Sequence, residues 1–281
     1  MRLEDAVEHA AALIQDADGL LVAAGAGMGV DSGLPDFRGT AGFWRAYPPL
    51  ARLGLAFHDM ACPDTFESDP RLAWGFYGHR LALYRATTPH AGFGILRAIA
   101  ARMAHGSFVF TSNVDGQFQR AGFAEDAVVE CHGSIHHLQC TRPCCDAIWP
   151  ADGVAPGVDM DACRLFTPLP ACPRCGRLSR PNILMFGDGA WLPARSEEQY
   201  ARFSRWRTRV ARPAVIELGA GVDIPSVRRM AESQGVPVVR INPREAAVHR
   251  GVALEMGALP ALQLLAEALG IDKNQIRQLS A

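Results

Sequence analysis

Two kinds of apolar pattern alternate along the chain. Short unbroken runs stand at Leu20-Leu21-Val22-Ala23-Ala24, Phe108-Val109-Phe110, Val128-Val129, Val215-Ile216 and Val238-Val239. An apolar run of this length without polar alternation suits a strand buried on both faces, as in a parallel sheet. Between the runs the spacing is helical. Residues 4–17 carry Ala6-Val7, Ala10-Ala11 and Leu13-Ile14 at that period, which predicts a helix packed on the sheet. A second helix is predicted over 67–88, with Asp69 as its N-cap and Pro70 in its first turn. Others are predicted over 93–104, 191–209 and 259–269. The segment 191–209 is charged and reads mostly as a solvated face. Residues 151–171 follow neither period and predict an irregular insertion.

Composition narrows the class. Of 281 residues, 49% are apolar and 20% charged, which is the balance of a soluble globular chain able to bury a sizeable core. The formal net charge of -1 offers no basic excess for nucleic acid or a membrane surface. No apolar run approaches the ~18 residues of a membrane-spanning helix. The N-terminal stretch has acidic residues that argue against a transit peptide, and it lacks the apolar region and cleavage site of a signal peptide. Eight cysteines are present, and five of them fall in two close groups. Without a secretory signal this spacing points to a metal rather than to disulfides, and to a reducing cytoplasm.

The candidate chemistry lies where the strands end. Leu20–Ala24 runs directly into glycines at 25, 27, 29 and 33, a backbone able to approach a phosphate. The dinucleotide fingerprint G-x-G-x-x-G would need glycine at position 30, where Val30 stands, so this is not a dehydrogenase-type loop. Ser112-Asn113-Val114-Asp115 follows the second strand, and polar side chains at strand carboxyl ends are where open α/β sheets bind ligands. On their own, Asn113 and Asp115 are equally a turn. His132, taken alone, reads as a structural histidine. Tyr77 and Arg80 share a helix face and can hold a carboxylate, or they are an ordinary helix surface. Cys140, Cys144 and Cys145 precede Cys172-Pro-Arg-Cys175-Gly176, a C-x-x-C-G knuckle. Cys144 is favoured over Cys145 for its shorter spacing, and Cys163 is a rival fourth ligand. Cys62 and Cys131 read as buried thiols.

The motifs together resemble one family. Gly25-Ala26-Gly27 followed by Ser32-Gly33-Leu34-Pro35-Asp36-Phe37-Arg38-Gly39 resembles the nucleotide loop of the sirtuins, NAD-dependent protein-lysine deacylases. SNVD at 112–115, His132-Gly133, the two Cys groups, Arg180-Pro181-Asn182-Ile183-Leu184-Met185-Phe186-Gly187 and Ile241-Asn242-Pro243 then follow in the family's order. The resemblance spans about residues 5–269. It implies an α/β fold: a Rossmann-like open parallel sheet with helices on both faces, plus a smaller lobe made of a helical insertion and a zinc-binding module. It implies a Rossmann-like NAD-binding domain from 1–39, 106–134 and 181–281, a helical insertion with a cofactor loop at 40–105, and the zinc module at 135–180.

The resemblance also implies roles. His132 is the general base on a ribose hydroxyl, with Asn113 and Asp115 beside the nicotinamide end. Gly25, Ala26, Gly27, Asp36, Phe37, Arg38, Asn113, Asp115, Gly219, Ala220 and Asn242 bind NAD, which is consumed as a co-substrate. Cys140, Cys144, Cys172 and Cys175 hold a structural zinc. Tyr77 and Arg80 resemble the acyl-pocket pair of desuccinylase-type members. Ile183, Met185, Phe186 and Gly187 line the acyl-lysine tunnel and the edge that pairs with an extended substrate backbone. The products are nicotinamide, free lysine and O-acyl-ADP-ribose, and the partners are proteins bearing acyl-lysine. Phe43 and Trp44 read either as part of a cofactor-closing loop or as core aromatics.

Departures from the family pattern are Gly29, Ser112, Phe118, Asp188, Ala220 and Gly221. Of these, Gly29, Ser112, Ala220 and Gly221 keep open a protein ADP-ribosyltransferase or NAD hydrolase on the same scaffold, against which the intact His132 argues. A non-catalytic binding module has no need of the whole His132, Asn113 and Asp115 set. The preferred acyl group, the protein substrates and the oligomeric state are not legible in the sequence.

Overall fold

The computed structural model describes residues 2–36, 39–272 and 275–276, with residues 39–41 described by their backbone alone. Eleven strands are found among them: β1 Gly19–Ala24, β2 Ser107–Thr111, β3 Val128–Glu130, β4 Gly133–Cys140, β5 Trp149–Pro150, β6 Val158–Asp159, β7 Arg164–Leu165, β8 Ser179–Ile183, β9 Pro213–Leu218, β10 Val238–Ile241 and β11 Gly251–Leu254. The apolar runs of the sequence are β1, β2, β3, β9 and β10. With β11 they form one six-stranded sheet in the order β11-β10-β9-β1-β2-β3, and every neighbouring pair is parallel.

The unbroken apolar runs are explained by two cores. Leu20, Val22 and Ala24 of β1 pack on one face with Ile14, Phe93, Ile99 and Leu262. Leu21 and Ala23 point the other way, toward Phe108, Phe203, Trp206 and Val227. Helices Leu3–Gln15, Ala91–Ala100 and Ala258–Ala268 cover the first face. Helices Ala194–Arg209 and Ser226–Glu232 cover the second. The helix Ala194–Arg209 is polar over most of its surface, yet it buries Ser196, Gln199, Phe203 and Trp206. Four inward positions suffice for packing, and the rest of the helix is the solvated face that its charge suggests.

A smaller lobe stands beside the sheet. The segment after residue 39 folds as short helices, Gly39–Ala46, Pro48–Arg52, Phe57–Met60 and Asp64–Ser68, followed by the long helix Pro70–Ala86. Asp69 caps that long helix through the Leu72 N–H, as its sequence suggests. Phe43, Tyr47, Phe66, Trp74, Phe76 and Tyr77 are fully buried in this lobe's own core. Phe43 is therefore a core aromatic, and Trp44 is half-buried with its indole N–H on the Leu55 carbonyl (2.7 Å).

Strands β4, β5 and β8 form an antiparallel sheet, and β6 and β7 a hairpin. Because β4 and β8 pair with each other, each runs across an expected boundary, β4 that at 134/135 and β8 that at 180/181. The hairpin end rests on the long helix at Gly75, where a Cβ would meet the Cys163 carbonyl oxygen at 2.0 Å. No helix of the described residues is long and apolar enough to cross a membrane.

Candidate functional site

All six strands of the large sheet are parallel, so their carboxyl ends open on one edge. The order places β1 at the centre, with chain order reversing between β1 and β9. Such a switch point leaves a crevice between the turns that follow the two strands. Here those turns touch. The Gly27 N–H donates to the Gly219 carbonyl (3.1 Å), and the Gly25 N–H to that of Leu218 (2.9 Å). A Cβ on Gly27 would lie 2.6 Å from Gly219 Cα, and one on Gly25 2.7 Å from Ala220 Cα. Gly25 has an extended backbone that any residue could adopt, so glycine is required there by contact and not by conformation. Gly219 meets both demands, with φ +57°. The glycines read in the sequence as room for a phosphate are thus first of all room for each other.

What remains exposed is backbone. Among the described residues the N–H groups of Ala26, Ala220 and Gly221 meet no acceptor. Asp36 lies at this edge, in an ion pair with Arg244 (3.2 Å). Phe37 and Arg38 lie outside the described residues. Asn242 is fully buried, and both polar atoms of its amide are engaged: Nδ2 donates to the Ala220 carbonyl (3.0 Å), and Oδ1 accepts from the N–H groups of Arg244 and Glu245. Asn242 therefore ties the turn after β10 to the turn after β9.

The turn after β2 is pinned to the same place. Asn113 Nδ2 donates to the Gly25 carbonyl (3.0 Å), and Thr111 Oγ1 to that of Ala24 (2.9 Å). Asp115 is buried, with Oδ1 accepting the Gln117 N–H (2.9 Å). Burial pushes its carboxyl up to about 6; the Gln117 N–H opposes the rise and the Glu130 carboxylate adds to it. Phe118, where the family has His, packs between Phe93 and Phe123 and belongs to the core.

His132 occupies the two-residue link between β3 of the large sheet and β4 of the small one. Its carbonyl accepts the Leu184 N–H (2.9 Å), which closes the link onto the end of β8. Its imidazole makes no hydrogen bond to a described residue. Burial lowers its pKa, so the ring is neutral near pH 7 and able to accept a proton. Cys131 beside it is buried and pushed up to about 12, an inert thiol.

The segment beyond β8 is fixed by a charge pair the sequence reading missed. Arg180 and Asp188 meet in two 2.8 Å hydrogen bonds with both side chains fully buried. Asp188 also accepts the N–H groups of Met185 and Ala190. With Leu184 and Phe186 bonded to the carbonyls of His132 and Ala61, the N–H groups of 184–186 are all consumed internally. Gly187 keeps its N–H without an acceptor among the described residues. Ile183 and Met185 are buried in the small lobe's core, and Phe186 lies against the His58 ring (4.5 Å).

Tyr77 and Arg80 are brought into that same core, not onto a helix surface. The Arg80 guanidinium lies 5.1 to 5.6 Å from the ring centres of Phe76, Tyr77 and Tyr84, and Nε donates to Tyr84 Oη (2.9 Å). Burial pushes Tyr77 up to about 12, so its phenol is a donor at neutral pH.

Four sulfurs converge at the far end of β4 and β8. The Sγ atoms of Cys140, Cys144, Cys172 and Cys175 lie within 4.8 Å of one another, with Cys140–Cys175 and Cys144–Cys172 both 3.7 Å apart. A zinc–sulfur bond of about 2.3 Å gives a tetrahedron with edges of about 3.8 Å, so the set fits a closed structural zinc. Cys145 lies 3.8 Å from Cys144 but is not one of the four, and Cys163 is buried against the long helix.

Comparison with known proteins agrees with this architecture. A family model described as the Sir2 family matches residues 25–205. An NAD-dependent protein deacylase of Thermus thermophilus is 30% identical over 268 residues, covering 92% of this chain and 93% of that one. NAD-dependent protein deacylase 1 of Pseudomonas aeruginosa is 32% identical over 237 residues, covering 83% and 86%. Among solved structures, a mutant Sir2 homologue in complex with ADP-ribose superposes with a TM-score of 0.69 at 26% identity, covering 95% of this chain and 96% of its own. A Sir2 protein bound to a propionylated peptide gives a TM-score of 0.67 at 21% identity, covering 93% and 97%, a similarity of fold alone.

Proposed function

The chain belongs to the Sir2 family, and on that footing we propose that it is an NAD-dependent protein deacylase that uses His132 as its base and a chamber floored by Tyr77 and Arg80 for the acyl group. The observation that carries the reading is the state of His132. Its imidazole is neutral, half-buried and without a protein partner among the described residues, at the junction of the two lobes.

NAD supplies the ribose carbon that the acyl-lysine amide oxygen attacks and the hydroxyl that ends up bearing the acyl group. The chain's own residues hold and move the rest. The N–H groups of Ala26, Ala220 and Gly221 stand open to phosphate oxygens at the switch point. Asn113, pinned to Gly25, and Asp115 face the nicotinamide end. His132 accepts the proton from the ribose hydroxyl. The Gly187 N–H pairs with the substrate backbone. Four thiolates close the zinc off from any reacting group, so its part is structural. A reducing cytoplasm keeps those thiolates competent. The curated relatives are named as deacylases, which favours this reading over a transferase or hydrolase on the same scaffold.

Arg80 and the phenols of Tyr77 and Tyr84 favour an acyl group that ends in a carboxylate. The test is a mass-spectrometric assay of one peptide carrying acetyl-, crotonyl- or succinyl-lysine, with and without NAD. Formation of O-acyl-ADP-ribose supports the deacylase. A succinyl rate that falls about 10- to 100-fold on Arg80→Met, with the acetyl rate held, supports the acidic pocket. ADP-ribosylated protein without deacylation would replace the reading with the transferase.

A further inference from the structure

The turn after β9 has a methyl group at Ala220 and no side chain at Gly221, so it offers a bound nucleotide only its backbone. One carbonyl in it is held unusually hard. The Ala220 oxygen accepts Arg228 Nη2 (2.9 Å), Arg228 Nε (3.2 Å) and Asn242 Nδ2 (3.0 Å). Arg228 also donates from Nη2 to the Glu245 carbonyl (2.7 Å). It is buried, with the fully buried Glu217 carboxylate 4.0 Å from its Nε. Glu217 faces Arg240 across the β9–β10 register in two hydrogen bonds of 2.7 and 2.8 Å, and Arg240 reaches the surface Glu232 (2.7 Å). A line of alternating charge runs from the protein surface to a single peptide group in the cofactor turn.

A buried ion network is an expensive way to hold two strands together, because desolvation offsets most of its attraction. What it supplies here is direction. The peptide group joining Ala220 to Gly221 is planar and trans, so its N–H points opposite to its C=O. Drawing the Ala220 oxygen inward onto Arg228 and Asn242 turns the Gly221 N–H outward, and that N–H meets no acceptor among the described residues. We propose that Arg228 is a positioning residue for NAD: it clamps the Ala220 carbonyl and thereby aims the Gly221 N–H at the bound co-substrate. This rests on the reading of the switch point as the NAD site.

The experiment compares wild type with Arg228→Met and Arg228→Lys by calorimetric binding of ADP-ribose and by initial rates against NAD and against acyl peptide. Losing two charged donors to one carbonyl is expected to raise the ADP-ribose Kd and the KM for NAD about 10- to 100-fold, with kcat and the peptide KM within about threefold. Lysine, which can place one charged donor on the carbonyl, should recover part of the loss. A merely structural arginine would lower Tm and leave the ADP-ribose Kd at its wild-type value, which overturns the inference. If Arg228→Met does not fold, Arg228→Gln, with one neutral donor, is read against the same two outcomes. Wild-type protein that fails to bind ADP-ribose would sink the NAD reading itself, a different failure from wild type and variant binding equally well.

Discussion

The two lobes are held together by different physics. The parallel sheet is sandwiched between two apolar cores, and its central turns are locked by backbone contact between Gly27 and Gly219. The zinc module has three antiparallel strands, of eight, two and five residues, and a hairpin of two two-residue strands, and four cysteines gather beside the ends of β4 and β8. Burial on two faces holds the first, whereas the second shares its core with the helices of the insertion and has the four cysteines at its far end for a metal to tie together. His132 sits on the link between them, and its carbonyl accepts the N–H of Leu184, just past the strand that leads from the four cysteines. The placement of His132 therefore depends on both sides.

Removing zinc should break that comparison open. Cys172→Ser, or chelation of the wild type, is expected to abolish deacylation while ADP-ribose binding persists. Hydrogen exchange would show β4 and β8 losing protection and β1, β9 and β10 keeping theirs. Simultaneous loss of protection in both sheets would mean that the lobes are one cooperative unit and the contrast is false.

His132→Ala cuts at the seam without harming either side. General base catalysis is worth about 10²- to 10⁴-fold, so kcat/KM for deacylation should fall by that amount. Zinc content and ADP-ribose affinity should stay within about twofold of wild type. A variant with full activity would remove His132 from the chemistry.

The contrast also explains what was legible in the sequence. Strands buried on both faces announce themselves as unbroken apolar runs, which is why β1, β2, β9 and β10 could be read directly. Strand β11 could not, because its four residues alternate between exposed and buried at the sheet's edge. The helices between 39 and 68 have eight residues or fewer, too short to complete a readable period, so the segment looked like a loop. Cys140, Cys144, Cys172 and Cys175 were legible because thiolate spacing is local chemistry. Glu217–Arg240 and Arg180–Asp188 were not, although one signal was present: single charges stand inside the runs Val215–Leu218 and Val238–Ile241, at positions that the parallel register brings opposite. The clamp on Ala220 is invisible until β9 and β10 are known to be neighbours, since Arg228 and Asn242 reach it from different elements.

The smallest effect concerns Asp115, on the sheet side of the seam. Burial is the main cause of its raised carboxyl, pushed up to about 6 in the fold. A folded pKa above the unfolded value means that the fold favours the protonated acid. The contribution of Asp115 to native stability is then full below about pH 4, is lost as pH rises through about 6, and is constant above that. Asp115→Asn keeps an oxygen for the Gln117 N–H and removes the ionisation. It should match the wild type near pH 4 and become the more stable protein by at most about 3 kcal/mol by pH 7.5, read as urea midpoints across that range. A stability difference that does not change with pH would refute the buried acid. If the variant gains stability at pH 7.5 and loses deacylation, the carboxyl is held at the nicotinamide end against the interest of the fold, as a site kept for chemistry would be.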